Sequence, residues 1–260
     1  GPAIGTLKLK DVRDLHLQTI LNTQAGMSYS HVSKLRMVMQ ELFRQARRSR
    51  LIIYDPAEGL LLPESVKRSH RPITKAERRH ILAVAQNHPA GLWVLTILYT
   101  GLRPGETAAL FWEDIDFDRN EIHVYKAVES GTRTIKAPKT PAGIRDIPMR
   151  QELRERLLAV RGEGTAPVFP SANGGIRSAN SLRRLWNSFA HALDLHMGAK
   201  VRDGQILQHA IAPDLTPYCL RHTFCTDLQR AGVPINVAKE LMGHANISVT
   251  ANIYTHRDQK

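Results

Sequence analysis

The chain predicts a mainly α-helical protein with a small antiparallel β-sheet, arranged as a helical N-terminal part followed by a larger α+β part. Three observations carry that prediction. Apolar residues recur at three- and four-residue steps through most of the 260 residues. Several of these runs open on a proline or a Thr-x-x-Glu pair and close before a glycine, as helices do. Only between residues 113 and 148 does the period change to two.

In order along the chain, residues 11–21 and 30–48 read as helices. Leu35, Val38, Met39, Leu42, Phe43 and Ala46 form an apolar stripe on the second, expected to be core, with Lys34, Arg36, Arg44, Arg47 and Arg48 around it. Asp55-Pro56 ends this part. Residues 63–71 (PESVKRSHR) lack periodicity and read as a basic linker. Thr74 and Glu77 form a capping box that starts a helix. GLWVLTILYTG (91–101) reads as a buried helix stopped by Gly101, and Pro104 opens the next. Asp116–Asn120 is a turn, Glu121–Val128 alternates like a strand, and IRDIP (144–148) is a second strand. Residues 151–160 and 178–195 are helical, the latter with Leu182, Leu185, Trp186 and Phe189 as core. Residues 196–214 read as a long polar connection. Helices near 217–231 and 234–242 begin at prolines and end before Gly232 and Gly243.

Composition narrows the class. The net charge is +12, the footprint of a polyanion binder. Residues 1–71 hold 12 Lys/Arg against 6 Asp/Glu, and the much longer remainder holds 24 against 18, so the first part is the denser phosphate-seeking surface. The two cysteines, Cys219 and Cys225, fall six apart on one predicted helix and cannot easily bridge, which fits a reducing cytoplasm. No run reaches 18 apolar residues, so no membrane span is expected. Gly1-Pro2 reads as the scar of a protease cleavage, and so as a sign of truncation.

Cutting a phosphodiester without a metal needs a nucleophile, cations on the non-bridging oxygens and a proton for the leaving oxygen. Arginine is the natural clamp, because its planar fork matches two phosphate oxygens. Arg103 sits at a predicted helix start in GLRPGE, where it is equally placed to pair with Glu106. In TPYCLRHTF, a helix opening at Pro217 puts Tyr218 and Arg221 three apart on one face, and His222 reads as structural. Gly243 ends a helix, so His244 begins the following loop, and Tyr254 lies ten residues on. A metal held by His244 and His256 lacks ligand spacing.

TGLRPGETAAL, LRHTF, LMGH and a late tyrosine, in that order, resemble the tyrosine recombinase (phage integrase) family. The basic hairpin IKAPKTPAGIRDIPM resembles most closely the integrases of conjugative transposons. The resemblance implies a helical core-binding domain (1–62), an interdomain linker (63–71) and a catalytic domain (72–260). It implies a bacterial, cytoplasmic, nucleoid-associated, site-specific recombinase that integrates or excises a mobile element. Tyr254 would be the nucleophile that forms a 3′-phosphotyrosyl link. Arg103, Arg221 and His244 would hold the phosphorus, and Lys139 would protonate the leaving 5′ oxygen, with Lys136 its rival. Tyr218 stands where the family usually carries histidine; it can donate a hydrogen bond but not shuttle protons as imidazole does. Neither ATP, metal nor other cofactor is implied. The implied partners are double-stranded DNA, a Holliday junction and three further copies in a tetramer. A type IB topoisomerase and a non-catalytic DNA-binding module remain as alternatives, both separable by trapping a covalent adduct.

Overall fold

The structure, a computed structural model, describes residues 4–65, 70–129, 132–138 and 140–255. Lys139 and linker residues 66–69 lie outside the described residues. The chain divides into two compact units, Gly1–Ser69 and His70–Lys260.

The first unit holds α1 (Asp14–Asn22) and α2 (Tyr29–Arg48). Ser28 caps α2 by accepting a hydrogen bond from the His31 amide. Leu17, Leu21, Val32, Phe43 and Ala46 close a core with Ile52, Ala57 and Leu60 from the following loop, and Leu35 and Met39 pack against it. The predicted stripe needs correction, because Val38 and Leu42 are more than half exposed. Each lies one residue, about 100° of helix turn, from the buried line through residues 32, 35, 39, 43 and 46. One short helix and a loop cover only that narrower face.

The second unit starts with α3 (Lys75–Ala85), where the Thr74–Glu77 capping box forms as expected: the Glu77 amide donates to Thr74 Oγ1, and the Thr74 amide donates to Glu77 Oε2. Helix α4 (Gly91–Thr100) is apolar on nearly every side and buried at every position except the partly buried Leu92. It stops at Gly101, whose φ of 64° suits glycine and whose added Cβ would meet Phe224 at 2.4 Å. Helix α5 (Pro104–Ala108) follows at once. Strands β1 (Ile115–Asp116), β2 (Glu121–Val124) and β5 (Arg145–Pro148) form an antiparallel sheet in the order β1-β2-β5. The strand expected over 121–128 is broken at Tyr125–Lys126: β3 (Ala127–Val128) pairs instead with β4 (Ile135–Lys136). At the break, the Lys126 ammonium turns inward to Asp114 at 2.9 Å, over the Phe111 ring.

Helices α6 (Gln151–Ala159) and α7 (Ala179–His196) follow; Leu182, Trp186 and Phe189 of α7 are core as predicted, with Leu185 partly buried. The stretch read as a polar connection contains a hairpin, β6 (Lys200–Arg202) and β7 (Gln205–Gln208), turned at Asp203-Gly204 with both φ positive. Asp-Gly is a strong hairpin signal, obscured here because the flanking strands are polar and exposed. The chain closes with α8 (Pro217–Arg230), α9 (Ile235–Met242) and α10 (Ile247–Thr255). Helix α10 was not anticipated; it carries Tyr254 on helix rather than loop. Among the described residues, no helix is long and apolar enough to cross a membrane.

Candidate active site

The site is organised around one buried carboxylate, Glu106 in α5. Three guanidiniums converge on it. Arg103, just before the helix, donates from Nη1 to Glu106 Oε1 at 2.7 Å, while its amide donates to Oε2. Arg145, at the start of β5, reaches both carboxylate oxygens, at 3.1 and 2.9 Å. Arg221, in the second turn of α8, lies 4.0 Å from Oε2. Burial by itself would raise the Glu106 pKa. The Arg145 hydrogen bonds, followed by the charges of Arg145, Arg221 and Arg103, outweigh it and hold the pKa at about 2. Glu106 is therefore ionised at neutral pH, and the cluster carries three positive charges against one negative.

The arginines also tie helix ends together. Arg221 donates to the carbonyls of Gly101 and Met242, joining the ends of α4 and α9. Arg103 Nη2 donates to the Gly243 carbonyl at 2.8 Å, and Arg145 donates to the carbonyls of Leu241 and Gly143. Gly243 has φ of 60°, and a Cβ there would meet Arg145 Nη1 at 2.8 Å. Only glycine fits between the end of α9 and that guanidinium, which fixes where His244 emerges.

His244 is buried, with Nδ1 2.9 Å from Thr250 Oγ1. Burial first, then the charges of Arg221, Arg103 and Arg145, push its pKa down to about 4. The ring is neutral at working pH, and either His244 Nδ1 or the Thr250 hydroxyl can be the donor between them, according to the tautomer. Arg221 is lowered as well, by burial first and then by Arg103, and stays charged at neutral pH.

Exposure distinguishes the roles of the three arginines. The Arg103 side chain is 36% exposed, against 6% for Arg221 and 4% for Arg145. Arg103 faces an open cavity of about 710 Å³, also lined by Glu106, Gly143, Tyr218 and Gly243. Tyr218 is exposed where its neighbour Arg221 is buried. Tyr254 stands apart from the cluster: its hydroxyl donates to the Val233 carbonyl at 3.2 Å, in the turn between α8 and α9. Burial, then Cys225, raises its pKa to about 12. Of the residues singled out from sequence, the structure thus gathers Arg103, Arg221 and the His244 loop around Glu106, places Tyr218 at the cavity wall, and leaves the Tyr254 hydroxyl bonded elsewhere. Lys136 pairs with Glu129 at 2.8 Å. Cys219 and Cys225 are free and buried. Among the described residues, no group of three or more His, Cys, Asp or Glu side chains could hold a metal.

Arg145 escaped the sequence reading. The available signal was its parity: in β5 it shares the buried face with Ile147, and a cation on the apolar face of a strand needs a partner.

A clamp of arginines on a buried acid, open through one guanidinium to a cavity, has the positive charge and the fixed donors that phosphoryl transfer requires of a site. The chain belongs to the phage integrase family of tyrosine recombinases, whose profile matches residues 71–260. It is 27% identical, over 96% of its length and 68% of the relative's, to a XerC-like tyrosine recombinase of Caldanaerobacter subterraneus subsp. tengcongensis. It is 30% identical, over 63% of its length, to the transposase from transposon Tn916 of Enterococcus faecalis, of which the match spans 41%. The fold matches the Tn1549 transposon integrase solved with a circular-intermediate DNA (TM-score 0.77, 23% identity, 95% of this chain and 82% of that one). It also matches the lambda integrase solved as a tetramer on a Holliday junction (TM-score 0.68, 18% identity, 100% and 69%).

Proposed function

We propose that the chain cuts and rejoins double-stranded DNA through a 3′-phosphotyrosyl intermediate, to integrate or excise a mobile element. The observation that carries this reading is the surplus of positive charge around Glu106. One carboxylate orders three guanidiniums without neutralising them, and Arg103 presents the remainder to an open cavity. A phosphodiester entering there would meet a fork already in place.

In this reading, Arg103 and Arg221 hold the non-bridging oxygens. His244, neutral, donates from Nε2. Tyr218 adds a hydroxyl from the cavity wall. The Tyr254 hydroxyl gives up its proton to solvent as its oxygen attacks phosphorus, so a phosphorus–tyrosine bond forms as the bond to the 5′ oxygen breaks, and Lys139 gives that oxygen its proton. The covalent link keeps the bond energy, so no ATP is consumed. The hydroxyl of Tyr254 must first leave the Val233 carbonyl. Residues 1–62 serve as the core-binding domain on DNA, 63–71 as the linker and 72–260 as the catalytic domain. Strand exchange between two duplexes calls for a homotetramer.

Incubation with a nicked suicide duplex bearing the recombination site tests the reading. Wild type should give a denaturant-stable protein–DNA adduct, and Tyr254→Phe none, with DNA affinity unchanged. An adduct formed by the phenylalanine variant would refute the assignment of the nucleophile.

A further inference from the structure

We propose that His70, at the end of the basic linker, is a positioning residue of this site: its imidazole holds the Tyr218 ring against the cavity wall shared with Arg103. The inference rests on the recombinase reading above.

An exposed tyrosine in the first turn of a helix has little to fix its rotamer. Tyr218 is such a residue, 44% exposed at the start of α8, yet it lines the cavity with Arg103 and Gly243. Its ring is stacked on His70, with centroids 5.1 Å apart and planes 16° from parallel. His70 Nδ1 lies 3.4 Å from Thr216 Oγ1, on the residue that precedes α8. The imidazole therefore meets both the entry to the helix and the ring that follows it.

The segment that brings His70 there is itself pinned. Arg71 donates from Nε and Nη2 to the two oxygens of Asp214, at 2.9 and 3.1 Å. It donates from Nη1 and Nη2 to both oxygens of Glu77, at 2.8 and 2.7 Å, and from Nη1 to the Pro72 carbonyl. Glu77 is buried and is also the capping acid of α3. Asp214 lies in the loop that enters α8. One guanidinium thus fixes the backbone beside His70 to the first helix of the second unit and to the approach to Tyr218. An ion pair for its own sake would not place a flat ring on a neighbouring tyrosine. The combination of clamp and stack does, and the ring it orders is that of Tyr218, at the cavity wall.

The test is single-turnover cleavage of a suicide duplex at saturating protein by His70→Ala, His70→Phe, Tyr218→Phe and the His70→Ala/Tyr218→Phe double variant. His70→Ala should slow cleavage by about threefold to tenfold, the range that ordering one side chain is worth, with DNA affinity unchanged. His70→Phe, which keeps a flat ring, should restore most of the rate. In the Tyr218→Phe background His70→Ala should have no further effect. Cleavage by His70→Ala at the wild-type rate overturns the proposal. So does an equal loss in both backgrounds, or a loss confined to affinity, which would make His70 a simple DNA contact. A second measurement needs no DNA: with 3-fluorotyrosine at position 218, the fluorine resonance of the free protein should shift on His70→Ala, and an unchanged resonance overturns the stack itself. A wild-type chain that forms no adduct overturns the recombinase reading and this role with it. That outcome is distinct from failure of the role alone, in which wild type and His70→Ala form adduct equally fast.

Discussion

Arg145→Met tests whether the acid at the centre of the site is held in place by a buried arginine. The side chain is 4% exposed and makes two bonds to Glu106, one to the Leu241 carbonyl and one to the Gly143 carbonyl. Removing one partner of a buried ion pair costs about 3–5 kcal/mol. The two carbonyls left unpaired add to this, and Arg103, still bonded to Glu106, subtracts from it. A loss of about 3–4 kcal/mol follows, which at an m-value of about 2–3 kcal/mol/M lowers the urea midpoint by roughly 1–2 M. Arg145→Lys keeps the charge but not the fork, and should lose about half as much. In both variants cleavage should fall more than affinity, because Glu106, though still bonded to Arg103, is itself held less firmly in place. A double-mutant cycle with Glu106→Gln should return a coupling of at least about 1 kcal/mol. A midpoint within about 0.3 M of wild type, together with undiminished cleavage, would refute the argument.

Two further outcomes are expected. Because the His244 pKa falls to about 4 in the folded chain from an ordinary value near 6.5, the unfolded chain binds the extra proton between those limits. The stability that His244 contributes is thus complete above pH 6.5 and is lost as pH falls towards 4, by up to about 3 kcal/mol. The difference in urea stability between wild type and His244→Asn should shrink over that window, and a difference independent of pH would contradict the burial of a neutral ring. Lys139→Ala should slow cleavage by roughly 10²–10⁴ and be rescued by a 5′-bridging phosphorothiolate, whose sulfur leaves without a proton; rescue of Lys136→Ala in its place would move the general acid to the other lysine.

The helices of the second unit were legible because their punctuation is local. Thr74-x-x-Glu77, Gly101, Pro217 and Gly243 act within one turn, and each does in the structure what its chemistry predicts. The pairing of Arg103 with Glu106 was legible for the same reason, being three residues long. What failed was non-local. Whether Val38 and Leu42 are covered depends on how wide a face the loop after α2 reaches, which no helical period encodes. The break at Lys126 depends on Asp114, and the β6–β7 hairpin is made of polar strands with no buried face to produce an alternating pattern. Arg145 and His70 meet Glu106 and Tyr218 across 39 and 148 positions, so their importance becomes visible only when the chain is folded.

The same long-range contacts explain how the site tolerates its own charge. Three guanidiniums packed around one carboxylate and largely buried repel one another, and neutralising them with more acids would remove the attraction for a phosphate. The structure uses main-chain carbonyls instead. Gly101 ends α4, and Leu241, Met242 and Gly243 end α9; these oxygens have no partner inside their helices and lie at the negative end of the helix dipole. Arg221, Arg145 and Arg103 bond to all four. Each such bond stabilises a cation and satisfies a carbonyl while leaving the net charge intact, so the surplus of positive charge beside the cavity survives folding. The arrangement also couples position to charge. A change that frays the end of α9 would release the guanidiniums together with the backbone that carries His244, so the cations and the imidazole are expected to be lost as a unit rather than one at a time.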